Sequence, residues 1–137
     1  MITNEALHKK SPQELTSLLY EALLERLEEA GEAMQAGDMW KANEKFQKAN
    51  DILTRLGAGI NYEAGIIADQ LDTLYNYLSD QLVQVNYKKD IKMLEEVIKL
   101  IQSIMAAWRE AMKTQKDSQP KMMKQRVSAY EKNTVFE

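Results

Sequence analysis

The residues able to do chemistry are few, and their spacing does not assemble them. His8 is the one imidazole in 137 residues and cysteine is absent, which excludes disulfides, thiolate zinc sites and cysteine nucleophiles together. A di-iron centre in a helical bundle takes a Glu-x-x-His motif from each of two facing helices, and a single histidine cannot supply both. His8 precedes the first periodic segment, where a solvated side chain is expected. The carboxylates of Glu25, Glu28, Glu29 and Glu32 occupy or border a polar helical face, the pattern of a solvated charge run. Gly57-Ala58-Gly59 lacks the downstream glycine, the lysine and the preceding strand of a phosphate loop, and is expected to be a turn between helices. With no catalytic, metal-ligating or cofactor-binding constellation, the expectation is a protein that is not an enzyme and uses no cofactor.

The elements that would position any site are long helices. Five glycines and two prolines are few for a chain that must turn often. Ser11-Pro12-Gln13-Glu14 has the form of a capping box, in which serine accepts a backbone N–H and glutamate reaches back three residues. Leu15, Leu18, Leu19, Ala22, Leu23, Leu27, Ala30 and Met34 then recur at three and four, placing them on one face. Gly37 is expected to stop this helix and Asp38 to cap a second, with Met39, Phe46, Ala49, Ile52, Leu53 and Leu56 inward and an end at Gly57 and Gly59. A third helix from about Ala64 to Asn86 carries the narrow stripe Ile67, Leu71, Leu74, Tyr75, Leu78, Leu82 and Val85. Asp90 caps a fourth, expected to run to about Lys113. The fold class that follows is all-α: an antiparallel up-and-down four-helix bundle over residues 11–113, preceded by a short lead of residues 1–10. Residues 114–137 lack long apolar periodicity and read as a flexible or loosely docked tail.

The fourth helix has more apolar surface than a bundle position needs. Ile91, Leu94, Ile98, Ile101, Met105, Trp108 and Met112 make one stripe; Met93, Val97, Leu100, Ile104 and Ala111 make a second beside it. Either the helix is the most buried of the four, or the second stripe receives an amphipathic partner segment. Arg26 falls within the first helix's apolar stripe, with its stem expected to bury and its head to meet a carboxylate. Trp40, off its helix's stripe, either staples the helix start or marks an exposed contact. A pI near 5.3 argues against nucleic acid as partner. No run of about 18 apolar residues suggests membrane insertion, nor is a secretory signal evident in residues 1–10.

Several of these segments, in this order, resemble the flagellar secretion chaperones of the FliS family. They are Ser11-Pro12-Gln13-Glu14-Leu15-Thr16 with Leu19-Tyr20, and Lys48-Ala49-Asn50-Asp51-Ile52-Leu53. They continue with Gly65-Ile66-Ile67-Ala68, Leu71, Leu74-Tyr75-Asn76-Tyr77-Leu78, Leu82, Asn86 and Asp90, and end with Trp108. The resemblance covers about residues 11 to 113. It implies a cytoplasmic helical bundle that binds the disordered C-terminal segment of newly made flagellin, blocks premature polymerisation and keeps the subunit competent for flagellar export. Other flagellar regulators or export components are further partners it implies. The expected client-binding residues are Ile52, Leu56, Met93, Val97, Leu100 and Ile104. Residues 1–10 lack the Tyr, Asn and Val segment usual before the family's Ser-Pro motif, while Ala129-Tyr130-Glu131-Lys132-Asn133-Thr134-Val135 near the other terminus is similar to it. The tail is therefore expected to act as a lid, with Tyr130 and Val135 covering the groove when no client is bound.

The alternative reading is a non-catalytic structural or regulatory bundle whose second stripe serves a homodimer or another protein. Charge separates body from tail: residues 1–112 carry 12 basic and 18 acidic side chains, whereas 113–137 carry 6 basic and 3 acidic, which would favour the tail lying back on the bundle in a salt-dependent way.

Overall fold

The computed structural model describes the backbone of residues 11–63 and 68–136 and the side chains of residues 11–59 and 69–114. Its helices are α1 (Pro12–Gln35), α2 (Met39–Glu63), α3 (Ala68–Lys88) and α4 (Ile91–Phe136). Two compact units divide the chain, one through Met105 and one from Ala106. The all-α bundle is built in the first.

Each helix start has a local cause. Ser11, extended in backbone, accepts the Glu14 N–H on Oγ at 3.2 Å, with Pro12 at the first helical position where its missing N–H is not needed. Asp38 accepts the Lys41 N–H at 3.0 Å to start α2, and Asp90 accepts the Met93 N–H at 3.2 Å to start α4. Gly37 ends α1 at φ 78°, a left-handed conformation that a Cβ disfavours. The equivalent position after α3 is Lys89 at φ 52°, whose N–H closes on the Val85 carbonyl at 2.7 Å.

Two boundaries differ from the sequence expectation. α2 passes through Gly57 and Gly59 to Glu63, so Gly57-Ala58-Gly59 is helix and not a turn. Neither glycine has positive φ, and helical glycine costs only about 1 kcal/mol relative to alanine, which a long helix can absorb. α3 is described over Ala68–Lys88, ending near the expected Asn86; residues 64–67, where its start was expected and where Ile67 was expected inward, lie outside the described residues. α4 continues past Lys113 to Phe136. Residues 114–136 include four Lys, three Gln and two Met, good helix formers, and the helix runs on through Pro120, which removes one backbone donor.

The core is apolar and layered. α1 contributes Tyr20, Leu23, Leu27, Ala30, Ala33 and Met34, and α2 Ala42, Phe46, Ala49, Leu53 and Leu56. α3 adds Tyr75, Leu78, Leu82 and Val85, and α4 adds Leu94, Val97, Ile101 and Met105. Burying each large side chain contributes about 1.5–3 kcal/mol. α1 packs backbone-close on α2, and α2 on α3. Side-chain bonds fix the antiparallel sense of the second pair: Asn43 bonds Asn86 at 2.7 Å, and further along α2 Asn50 bonds Ser79, further back on α3, at 2.9 Å. α4 meets α1 at Gly31, where an added Cβ would stand 3.2 Å from Leu94 Cδ2. A side chain there would press on the end of the Leu94 side chain. Within the core the hydroxyls of Tyr20 on α1 and Tyr75 on α3 bond each other, so two polar groups buried among apolar neighbours satisfy one another.

Candidate functional site

The α4 helix presents two adjacent apolar stripes, and the bundle treats them differently. Leu94, Val97, Ile101 and Met105, at the three-and-four spacing of one face, are buried. Met93, Leu100 and Ile104 lie about a quarter turn away and are half-buried. Val97, grouped by sequence with the outer stripe, belongs to the inner one at 4% exposure, and Ile98 takes a half-buried flanking place instead. From Leu94 both i+3 and i+4 are near the same face, and packing in the bundle covers Val97 at i+3 more completely than Ile98 at i+4.

The other expected contact residues divide in the same way. On α2, Leu56 is 4% exposed within the core and Ile52 is half-buried beside it. Ile52, Met93, Leu100 and Ile104 thus retain apolar surface that can meet a partner, whereas Leu56 and Val97 stabilise the helices that carry them. The side chains of Tyr130 and Val135 lie outside the described residues.

Polar groups near these helices are engaged structurally. Arg26, with its stem partly covered, bonds Glu29 at 2.5 Å, and Lys45 of α2 meets the other oxygen of Glu29 at 2.7 Å. The Lys45 hydrogen bond holds the Glu29 carboxyl below its ordinary range, assisted by the nearby Arg26 charge and opposed by burial. Lys89 donates to the carbonyl and side-chain oxygens of Asn86, and its Nζ stands 5.7 Å from the Phe46 ring centroid. Burial lowers the Lys89 pKa from its ordinary value. Among the described residues no group of three metal-ligating side chains occurs, and no helix is long and apolar enough to cross a membrane.

Sequence reasoning missed the polar rungs between α2 and α3, because single Asn and Ser residues carry no periodic signal. It also missed the exposed positions Val83 and Tyr87. Their signal was available: they stand at i and i+4, off the stripe of Leu78, Leu82 and Val85.

Residues 2–115 match the family model described as Flagellar protein FliS. The match takes in residues 2–10, so the lead falls inside it despite lacking the Tyr, Asn and Val segment, and most of the tail falls beyond it. The chain is 37% identical over 99 residues to the flagellar secretion chaperone FliS of Vibrio cholerae, covering 72% of this chain and 73% of that protein. It is 32% identical over 106 residues to the Bacillus subtilis flagellar secretion chaperone FliS, covering 77% and 79% respectively. The corresponding protein of Salmonella typhimurium is 33% identical over 107 residues, with the same coverage. In fold, a crystal structure of a bacterial flagellar chaperone superposes with a TM-score of 0.70 at 18% identity, covering 82% of this chain and 92% of that one.

Proposed function

The chain belongs to the FliS family of flagellar proteins, and from that premise we propose that it is a cytoplasmic export chaperone for flagellin, acting by binding alone. The client is flagellin's C-terminal segment, disordered before capture and ordered along the bundle. Holding that segment prevents premature polymerisation and keeps the subunit competent for export. The observation that carries this reading is the half-buried outer stripe of α4, Met93, Leu100 and Ile104, left over after the core has taken Leu94, Val97, Ile101 and Met105. A segment that orders on binding loses chain entropy, and a continuous apolar face offsets that loss. Ile52 of α2 is a further contact.

Size-exclusion chromatography with a peptide of flagellin's C-terminal segment tests this. A one-to-one complex is expected; an oligomer indifferent to the peptide would favour a self-associating structural bundle instead. We propose further that, by leaving the helical course of α4, the basic tail bearing Tyr130 and Val135 serves as a lid on the unoccupied face. Removing residues 120–137 should raise the client's association rate, and an unchanged rate counts against the lid.

A further inference from the structure

Apart from the α4 stripe, the outer side of the α2–α3 pair carries exposed aromatic rings at one end. Trp40, in the first turn of α2, is 85% exposed, and Tyr87, in the last turn of α3, is 87% exposed. Val83, one turn before Tyr87, is exposed as well. The Asn43–Asn86 hydrogen bond sets these turns side by side and marks the flank where the two helices meet. Buried residues mark the inward side: Ala42, Phe46 and Ala49 on α2, and Leu78, Leu82 and Val85 on α3. At about 100° per residue, Trp40 and Tyr87 stand nearly opposite those residues, and Val83 leans toward the seam. Both rings therefore face outward at the same end of the pair. Exposed Trp and Tyr beside an aliphatic residue are the composition of an interaction surface.

The charges around these rings indicate what the surface fits. Exposed carboxylates outnumber exposed cations there: Asp38, Glu44, Asp80, Asp90, Glu95 and Glu96 against Lys41, Lys48, Lys88 and Lys92. Asp38 and Asp90 accept cap hydrogen bonds, which leaves their charge in place. Position sharpens the imbalance. Lys41 and Lys88 each follow a ring by one residue and so turn more than a quarter turn away from it, and Lys48 is held by Glu44 at 3.2 Å. Glu44, four residues after Trp40, and Asp80, three before Val83 and seven before Tyr87, share the outer side with the rings. Asp80 has no ion-pair partner among the described residues. An aromatic face attracts a cation, and a carboxylate beside it pairs with the same cation. Arginine suits such a surface best, because its planar head stacks and donates at once. We propose that Trp40, Tyr87, Glu44 and Asp80 form a docking surface for an arginine- and lysine-rich segment of a partner protein, separate from the α4 stripe that takes the client.

The probe is a short fluorescein-labelled peptide alternating Arg with Ser, titrated into the full chain by anisotropy, beside the same peptide with Glu in place of Arg. The Arg peptide should bind and weaken with added salt. Trp40→Ala with Tyr87→Ala, which changes no charge, should reduce its affinity about tenfold or more with circular dichroism unchanged. Glu44→Gln with Asp80→Asn should weaken it about threefold. The matched control Glu28→Gln with Glu32→Gln removes as much charge from exposed positions of α1 and should leave the affinity unchanged. Saturating flagellin C-terminal peptide should leave the Arg peptide bound. No binding of the Arg peptide, equal binding of the Glu peptide, undiminished binding by the Trp40→Ala, Tyr87→Ala variant, or equal weakening by the two carboxylate pairs overturns the proposal. So does displacement by the flagellin peptide, which would give the face to the client. Tenfold tighter binding to a chain lacking residues 120–137 would give it to the basic tail, and a concentration-dependent dimer abolished by Trp40→Ala with Tyr87→Ala would give it to a second copy; either result also overturns it.

Discussion

Val97 and Leu100 sit three residues apart on one helix, are both aliphatic, and have different environments: Val97 is sealed in the core and Leu100 stays half open. The contrast runs along α4, with Leu94, Ile101 and Met105 on one side of it and Met93 and Ile104 on the other. It teaches that hydrophobic periodicity reports how much of a helix is apolar but not which part its neighbours cover. The covered part is set by how neighbouring helices pack against it. The part left over is available for function.

The largest effect expected from breaking this contrast is at the inner stripe. Val97→Asp would place a carboxylate among Leu94, Ile101 and Met105 and destabilise the bundle by about 3 kcal/mol or more, read from urea denaturation. Leu100→Asp on the outer stripe should cost about 1 kcal/mol or less in the same assay, with helicity retained. Equal losses would erase the distinction between core and open face. The smallest effect is expected where neither stripe is touched. Glu29→Gln should cost at most about 1 kcal/mol near neutral pH, since the ion pairs with Lys45 and Arg26 are partly solvated. Because the folded Glu29 pKa lies below the unfolded value near 4.5, its contribution is present above that pH and is lost as pH falls through the folded pKa. The stability difference between unmodified chain and Glu29→Gln should therefore shrink on acidification below about pH 4.5, measured by denaturation across pH.

Much of the bundle was legible because its signals are local. Ser11, Asp38 and Asp90 are caps that need only the following turn, and Gly37 takes the left-handed conformation its position suggests. Gly57 and Gly59 misled because glycine permits a turn without requiring one, and α2 proceeds through both. Lys89 shows the converse, a non-glycine residue held at positive φ with its ammonium bonded three residues back to Asn86 and standing over the Phe46 ring of α2, the second a tertiary contact that no local rule announces. The candidate site was legible as a surplus of apolar surface on α4 and not residue by residue. Choosing Ile98 over Val97 for the core was a choice between two positions equally near one face, decided by a neighbouring helix. The Tyr20–Tyr75 bond was hidden for the same reason, its partners lying on different helices.

Calorimetric affinity of a flagellin C-terminal peptide for the Leu100→Asp, Ile104→Asp variant, measured beside its helicity, tests the outer stripe of α4 most directly. The account predicts an affinity at least about tenfold lower than that of the unmodified chain with the helical signal preserved. Undiminished affinity in a folded variant would contradict it.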